Sequence, residues 1–158
     1  MSKKKIPKLT VRDYYDGGLI HITDVEIPSK RVGYKKEGEI LIASVPFGAR
    51  QFEERVREEF LNHNNPAWPM SGRLFMAIGI LMPKSAFSIT DVDNLAKTLL
   101  DAFCGIAYHD DKQIESLFVN KSMQQKWSVW IGLHTISHSE EKTWLVEPLM
   151  LSDNKSAA

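Results

Sequence analysis

The sequence predicts an α+β fold in which a single mixed β-sheet carries two main helices. Three features lead to this prediction: short segments of alternating apolar residues, one amphipathic segment with helical spacing, and one strand that is apolar on both faces. The chain of 158 residues is long enough to bury a core, and no Gly-, Ser- or Pro-rich linker divides it. We therefore expect a single domain over residues 1–158, with flexible tails at roughly 1–12 and 150–158.

Two strands and a helix are predicted in the first half of the chain. Alternation predicts strands near Leu19 to Ile27 and Glu39 to Val45, which could pair as a hairpin. From Ala49 to Leu61 the apolar residues recur three or four positions apart, while charged residues fill the other face. This spacing predicts an amphipathic helix, which the sequence Asn64-Asn65-Pro66 ends.

The second half predicts a strand, a helix and two further strands. Leu74 to Met82 is apolar on both faces, which is typical of a central strand covered on two sides. The helix that follows has Gly105 at its end, where a glycine often caps. Its buried side would carry Val92, Leu95, Leu99, Ala102 and Phe103. Ile114 to Asn120 and Trp127 to His134 are the last strands, joined by the polar segment Lys121 to Lys126.

The composition excludes some classes of protein and leaves others open. Cys104 is the only cysteine, so no intrachain disulfide forms, and we expect a reducing cytoplasm. No apolar run approaches the roughly 20 residues that a membrane helix needs, and we expect no membrane span. The formal net charge of zero neither demands nor excludes nucleic acid, because a balanced total can hide a basic face.

The most informative segment of the chain is rich in aspartate. Asp91-Val92-Asp93-Asn94 opens the second predicted helix, and Asp110-Asp111 follows the end of the same helix. Carboxylates repel one another, so several at one place need a cation, and Mg²⁺ or Mn²⁺ suits a set of oxygen ligands. The pattern predicts a metal site in this segment, in which Asp91, Asp93 and Asp111 could hold the cation, with Asp110 beside Asp111.

The spacing of these residues is informative about how they could converge. Residues two apart point away from each other in a helix but share a face in an extended segment. Asp91 and Asp93 can therefore converge only where an extended segment becomes a helix, which is where the sequence places them. Lys97 lies one helical turn beyond Asp93 and would neutralise a phosphate oxygen or a leaving group. Asn94 would orient a ligand or a water molecule around the metal.

Other interpretations of the same residues remain open. Thr90 and Asp93 have the spacing of a capping box, and Asp93, Lys97 and Asp101 have that of a simple ion ladder. The D-x-D pattern also occurs in aspartyl phosphatases and phosphotransferases, in which the first Asp is the nucleophile. A third possibility is a DNA-binding protein without catalytic activity, whose acids only cap a helix and decorate a turn.

These motifs resemble a known family, the RusA Holliday-junction resolvases. The resemblance covers about Asp91 to Asn120, where Asp91-x-Asp93-Asn94-Leu95-x-Lys97, Leu100-Asp101-Ala102 and Asp110-Asp111-x-Gln113 follow one another. It implies a homodimeric, Mg²⁺-dependent endodeoxyribonuclease that binds four-way DNA junctions and nicks two opposing strands symmetrically. By motif position, it implies that Asp91, Asp93 and Asp111 are the essential acids and that Lys97 is the essential lysine.

Several other residues have a functional and a structural interpretation. Trp68, flanked by Pro66 and Pro69, is the tryptophan that we expect to be best exposed for stacking on bases. His109 adjoins the acids, but a histidine at a surface turn is the commoner case. The same preference for a solvated surface role holds for the arginines that could contact phosphate, which are Arg50, Arg55, Arg57 and Arg73.

Overall fold

A five-stranded mixed sheet with helices on one face makes up most of the described chain. The computed structural model describes residues 7–14, 17–29, 33–44, 47–63 and 66–136, with side chains except at positions 14, 33–37, 41–44 and 47. The strands of the sheet are β1 (Lys8–Tyr14), β2 (Gly17–Thr23), β5 (Leu74–Met82), β6 (Ile114–Met123) and β7 (Ser128–Thr135), in the order β1-β2-β7-β5-β6. A separate two-stranded sheet pairs β3 (Gly33–Glu37) with β4 (Ile40–Ser44). The helices are α1 (Phe47–Asn62), the short α2 (Lys84–Phe87) and α3 (Val92–Phe103), and a 3-10 turn covers Asp111–Gln113.

Helix α1 follows from the spacing of its apolar residues. Its buried side carries Ala49, Phe52, Val56 and Phe60. Phe60 meets Phe103 of α3 edge to face at 5.8 Å between ring centroids, which joins the two helices over the sheet. The predicted helix is therefore confirmed, two residues longer at its start than the pattern indicated. Among the described residues, no helix is long and apolar enough to cross a membrane.

The sheet buries one face under the helices. Along β5 buried and half-buried residues alternate, so the helix-covered side is the fully buried one. The predicted bounds of this strand are confirmed, but its two faces are not covered equally. β6 pairs in parallel with β5 and forms an edge of the sheet, while the other neighbouring strands are antiparallel.

The predicted hairpin between residues 19–27 and 39–45 is wrong. β2 pairs with β1 and β7, whereas β4 pairs with β3 across a turn at Gly38-Glu39. Gly38 has a φ of 66°, a conformation that glycine adopts without strain, so the short connection favours the local partner. The sequence pattern missed β3 because its lysines and glutamate hide any apolar alternation.

Two further segments differ from the sequence prediction. Residues 8–12, expected within a flexible tail, belong to the edge strand β1, whose Leu9 is buried against the core. Residues 121–123, expected in a polar connection, extend β6. The tail expected at 150–158 lies outside the described residues.

The connection from β5 to β6 decides where the aspartates lie. The chain leaves the carboxyl end of β5, passes through α2, and returns along α3 to the amino end of β6. Parallel neighbours require such a crossover. The start of α3 therefore lies toward the carboxyl ends of β5 and β6, and its end lies toward their amino ends.

Candidate metal centre

Asp91 and Asp93 stand together where the chain enters α3. Asp91 is the N-cap, with an extended backbone at φ −80° and ψ 139°, and Asp93 lies in the first turn. Both are exposed, and the Asn94 side-chain amide donates to Asp91 Oδ2 at 3.3 Å. The predicted change from extended to helical backbone at this point is confirmed, and both side chains are open to solvent.

The simpler structural interpretations of this motif are not present in the structure. The N-cap is Asp91 rather than Thr90, and it makes no side-chain hydrogen bond to the helix backbone, so the expected capping box does not form. Lys97 is exposed and makes no ion pair with another described residue, so the ion ladder does not form either. These acids are left without a capping role in α3.

Asp110, in contrast, has a structural task. Its side chain accepts a hydrogen bond from Lys112 N at 2.9 Å, and Gln113 Oε1 accepts one from Asp110 N at 3.0 Å. Together these contacts form a capping box at the 3-10 turn. Asp110 is therefore engaged with the backbone, although both Asp110 and its neighbour Asp111 are exposed.

Gln113 connects this turn to a second loop. Its Oε1 also accepts from His109 N at 2.7 Å, and its Nε2 donates to the carbonyls of Met70 at 3.1 Å and Gly72 at 2.8 Å. The oxygen of the side-chain amide thus accepts hydrogen bonds from one loop, and its nitrogen donates hydrogen bonds to the other. It fixes the turn that carries Asp111 against the segment before β5.

Asp111 lies beside the end of α3, not beside its start. Burial, and then the negative charge of Asp111, raise the pKa of the Cys104 thiol at the C-cap. The same two causes raise the pKa of the buried Tyr108. Since the 12 residues of α3 span about 18 Å, Asp111 is roughly a helix length from Asp91 and Asp93.

A single chain therefore brings together only part of the predicted ligand set. Asp91, Asp93 and Asn94 form one group at the start of α3, and Asp110 and Asp111 form another at its end. Over the described ranges, no three His, Cys, Asp or Glu side chains are close enough to hold a metal ion.

The end of α3 is fixed by two buried or half-buried side chains. Arg57 of α1 donates to the carbonyls of Asp101 at 2.9 Å and Cys104 at 2.7 Å, and the Tyr108 hydroxyl donates to Leu100 O at 2.7 Å. The helix ends there, so the carbonyls of Asp101 and Cys104 have no following turn to bond, whereas Leu100 O also accepts from Cys104 N at 3.0 Å. Arg57 is thus a helix-capping residue and not a solvated surface arginine as the default interpretation had it. Arg73 is engaged with Glu115 through two bonds of 2.6 and 2.7 Å.

A shallow apolar groove lies between α3 and the edge strand β6. It encloses about 350 Å³ beside Asp93 and Lys97. Its apolar lining consists of Val92, Ala96, Leu100, Leu117 and Val119. Leu117 is 44% exposed, and Phe118 on the opposite side of the same strand is 51% exposed.

Trp68 is not the exposed tryptophan that the sequence suggested. It is half-buried, with Nε1 donating to Asp13 at 2.6 Å and its ring edge-on to Phe60 at 5.4 Å. Its ring also packs where a side chain at Gly18 would clash. Trp130 is 41% exposed instead, and it stacks on His21 with ring centroids 3.7 Å apart.

Sequence reasoning missed the role of Lys121. Its Nζ donates to the carbonyls of Phe87 and Thr90, directly before Asp91. A signal was present, because Lys121 continues the alternation of Leu117 and Val119 and therefore stands on the helix-covered side of β6. A lysine at such a position needs hydrogen-bond acceptors. The prediction of a polar connection over residues 121–126 did not identify any.

An α+β domain with paired aspartates at a helix start, followed by a second aspartate pair, agrees with the class of metal-dependent nucleases. The family model for endodeoxyribonuclease RusA matches residues 24–133, more than half of the chain. The chain therefore belongs to the RusA family, whose members are endonucleases that resolve Holliday junctions and act on branched DNA. No individual curated protein matches the chain. The resemblance seen in the acidic motifs is thus confirmed over a much longer span.

Proposed function

We propose that this protein is a Mg²⁺-dependent Holliday-junction resolvase that nicks two opposing strands symmetrically, with Mn²⁺ able to replace Mg²⁺. The observation that carries the proposal is the exposed pair Asp91 and Asp93 at the start of α3, in a chain that belongs to an endonuclease family. Exposed carboxylates without a capping role offer the oxygen ligands that Mg²⁺ prefers.

The residues fit a hard divalent cation. Asp91, Asp93 and Asp111 would supply carboxylate oxygens, and Asn94 would hold the Asp91 carboxylate through the contact at 3.3 Å. A bound divalent ion supplies a more acidic water and offsets negative charge on the phosphate. Lys97, exposed one turn after Asp93 on the same side of α3, would contact a phosphate oxygen or the leaving group.

The separation of Asp111 from the other two acids supports a homodimeric site. A two-fold axis perpendicular to α3, near its middle, would place the end of one helix beside the start of its copy. Asp111 of one protomer would then meet Asp91 and Asp93 of the other, and the dimer would contain two equivalent sites. The apolar groove between α3 and β6, next to Asp93, is a surface that such an interface would cover. Two sites related by symmetry suit a junction with two equivalent strands.

The phosphatase alternative has less support. A nucleophilic Asp of the D-x-D type is expected directly at the end of an apolar strand. Here β5 ends at Met82, and α2 lies between it and Asp91. The family match also favours phosphodiester cleavage in DNA over phosphoryl transfer to an aspartate, and it speaks against a non-catalytic DNA-binding protein.

The proposal is tested by cleavage of a synthetic four-way junction, a nicked duplex and a linear duplex, each with Mg²⁺ and with chelator. Changes to residues that surround a metal ligand typically lower activity about 10- to 100-fold. The Asp93→Asn variant should lower the cleavage rate by more than this, because it removes a ligand itself. Junction binding, measured by gel shift in chelator, should remain.

Glu58→Gln is the matched control, since it removes one exposed carboxylate of α1 that lies outside the acidic motifs. It should cleave like the unchanged protein. Full Mg²⁺-dependent cleavage by Asp93→Asn, or no cleavage of any branched substrate by the unchanged protein, would refute the proposal.

A further inference from the structure

Lys121 connects the edge strand β6 to the segment that leads into Asp91. Its Nζ donates to Phe87 O at 2.9 Å and to Thr90 O at 2.6 Å, across 34 and 31 positions of sequence. The same ammonium lies 4.5 Å from the centroid of the Phe87 ring. All its contacts fall within the four residues that precede Asp91.

These contacts are energetically substantial. Lys121 is half-buried and makes no ion pair with another described residue, so its charge is compensated by carbonyl dipoles and the Phe87 ring. Hydrogen bonds from a charged donor are shorter and stronger than those between neutral groups. The bond to Thr90 has this character at 2.6 Å.

The orientation of Asp91 depends on the backbone before it. Its carboxylate accepts from Asn94 Nδ2 at 3.3 Å and makes no capping hydrogen bond to α3, and its backbone is extended at φ −80° and ψ 139°. The Thr90 carbonyl belongs to the peptide unit that joins Thr90 to Asp91. Because the peptide unit is planar, a hydrogen bond to that oxygen restrains the orientation of the peptide plane that leads into Asp91.

We propose that Lys121 is a positioning residue for the candidate metal centre: it holds the Thr90 carbonyl and thereby sets the direction of the Asp91 carboxylate. The inference rests on the proposed function and adds a residue outside the acidic motifs. Lys121 acts through the backbone and needs no contact with DNA or with the reacting atoms.

The charge of Lys121 would have the opposite effect on metal binding. A nearby cation repels a divalent ion, so removal of the charge alone would lower the Mg²⁺ concentration needed for half-maximal cleavage. Loss of positioning would raise that concentration, as changes around a metal ligand commonly do by 10- to 100-fold. The sign of the change therefore separates the two roles.

The experiment compares Lys121→Met and Lys121→Arg with Lys126→Met, which removes an exposed lysine just beyond the same strand. Junction cleavage is titrated with Mg²⁺. We expect Lys121→Met to raise the half-maximal Mg²⁺ concentration about tenfold, with Lys121→Arg within about threefold of the unchanged protein because a guanidinium keeps the donors and the charge. Lys126→Met should not change it.

Amide hydrogen exchange provides a second measurement that does not need activity. Lys121→Met should accelerate exchange at residues 91–95, at the start of α3, and leave the core strand β5 unchanged. If Lys121→Met does not fold, Lys121→Gln, which retains a neutral donor, replaces it with the same expected direction.

An unchanged or lower Mg²⁺ requirement in Lys121→Met would overturn the inference while the proposed function stands. If the unchanged protein cleaves no junction, the proposed function fails, and the exchange measurement alone decides on Lys121. Unaltered exchange at residues 91–95 overturns the positioning role, and local acceleration supports it.

Discussion

Single side chains in this protein fix the backbone of the two acidic segments. Gln113 bonds four backbone groups, two in the turn that carries Asp110 and Asp111 and two in the loop before β5. Amide side chains suit this task because they combine donors and an acceptor. The position of the turn that carries Asp111 therefore depends on the hydrogen bonds of Gln113.

Replacing Gln113 by Ala should lower the free energy of unfolding by about 2 kcal/mol, since four hydrogen bonds are lost and some partners regain water. Urea unfolding measures the change. It should also reduce junction cleavage, because the turn that carries Asp111 loses its attachment to Met70 and Gly72.

The matched control for this prediction is Lys112→Ala, an exposed residue of the same turn. Exposed substitutions of this kind usually change stability by no more than about 0.5 kcal/mol. A Gln113→Ala protein as stable and as active as the control would contradict the role assigned to the amide.

At the scale of elements, α3 separates the two acidic groups by its length. Its start presents Asp91 and Asp93, and its end is fixed by Arg57 and Tyr108 beside the turn that carries Asp111. Its middle packs on α1 and the sheet through residues such as Leu95 and Leu99. The helix thus holds the acids of one protomer apart.

Arg57→Met tests how the end of this helix is fixed. The variant keeps most of the apolar stem but removes the donors to Asp101 O and Cys104 O, and we expect a loss of about 1–3 kcal/mol in unfolding free energy. Arg50→Met, an exposed arginine on the same helix, should stay close to the unchanged protein. Equal stability of the two variants in urea unfolding would show that the carbonyls are satisfied without Arg57.

For the assembled protein, we propose a site to which two chains contribute. If Asp111 acts with the Asp91 and Asp93 of the other protomer, two inactive variants can restore one site when they are combined. A heterodimer of Asp93→Asn and Asp111→Asn has one site with both changes and one site with neither. If each site lay within one chain, both sites of that heterodimer would remain damaged.

We therefore predict that equal co-expression of Asp93→Asn and Asp111→Asn recovers about a quarter of the wild-type sites, because half of randomly formed dimers are heterodimers and each has one intact site. A cruciform plasmid is the substrate that measures this. Heterodimers should yield nicked circles, whereas paired cuts by the unchanged protein yield linear DNA. Each variant alone is the control, and a mixture no more active than either would refute the shared site.

The strands and helices with strong apolar periodicity could be predicted from the sequence. β5 and α1 were found because their buried residues repeat at the spacing of their backbone. β1 was not found, because most of it lies in the stretch that was expected to be a flexible tail, although Leu9 and Val11 alternate with polar residues. β3 was not found, because its lysines and glutamate interrupt any apolar pattern. The pairing partners of the strands could not be predicted from the sequence. β2 pairs with β7 and not with β4, and the paired residues are more than 100 positions apart in the sequence.

From the order of residues alone one obtains a spaced set of aspartates, a lysine one turn away, and the motifs that mark the RusA family. Which of these residues lie near one another follows from the fold. It set Asp91 and Asp93 at one end of α3 and Asp111 at the other, engaged Asp110 in a cap, and brought Lys121 to the Thr90 carbonyl. The physical reason is that a helix fixes the distance between its ends, whereas the motif records only the order of residues along the chain.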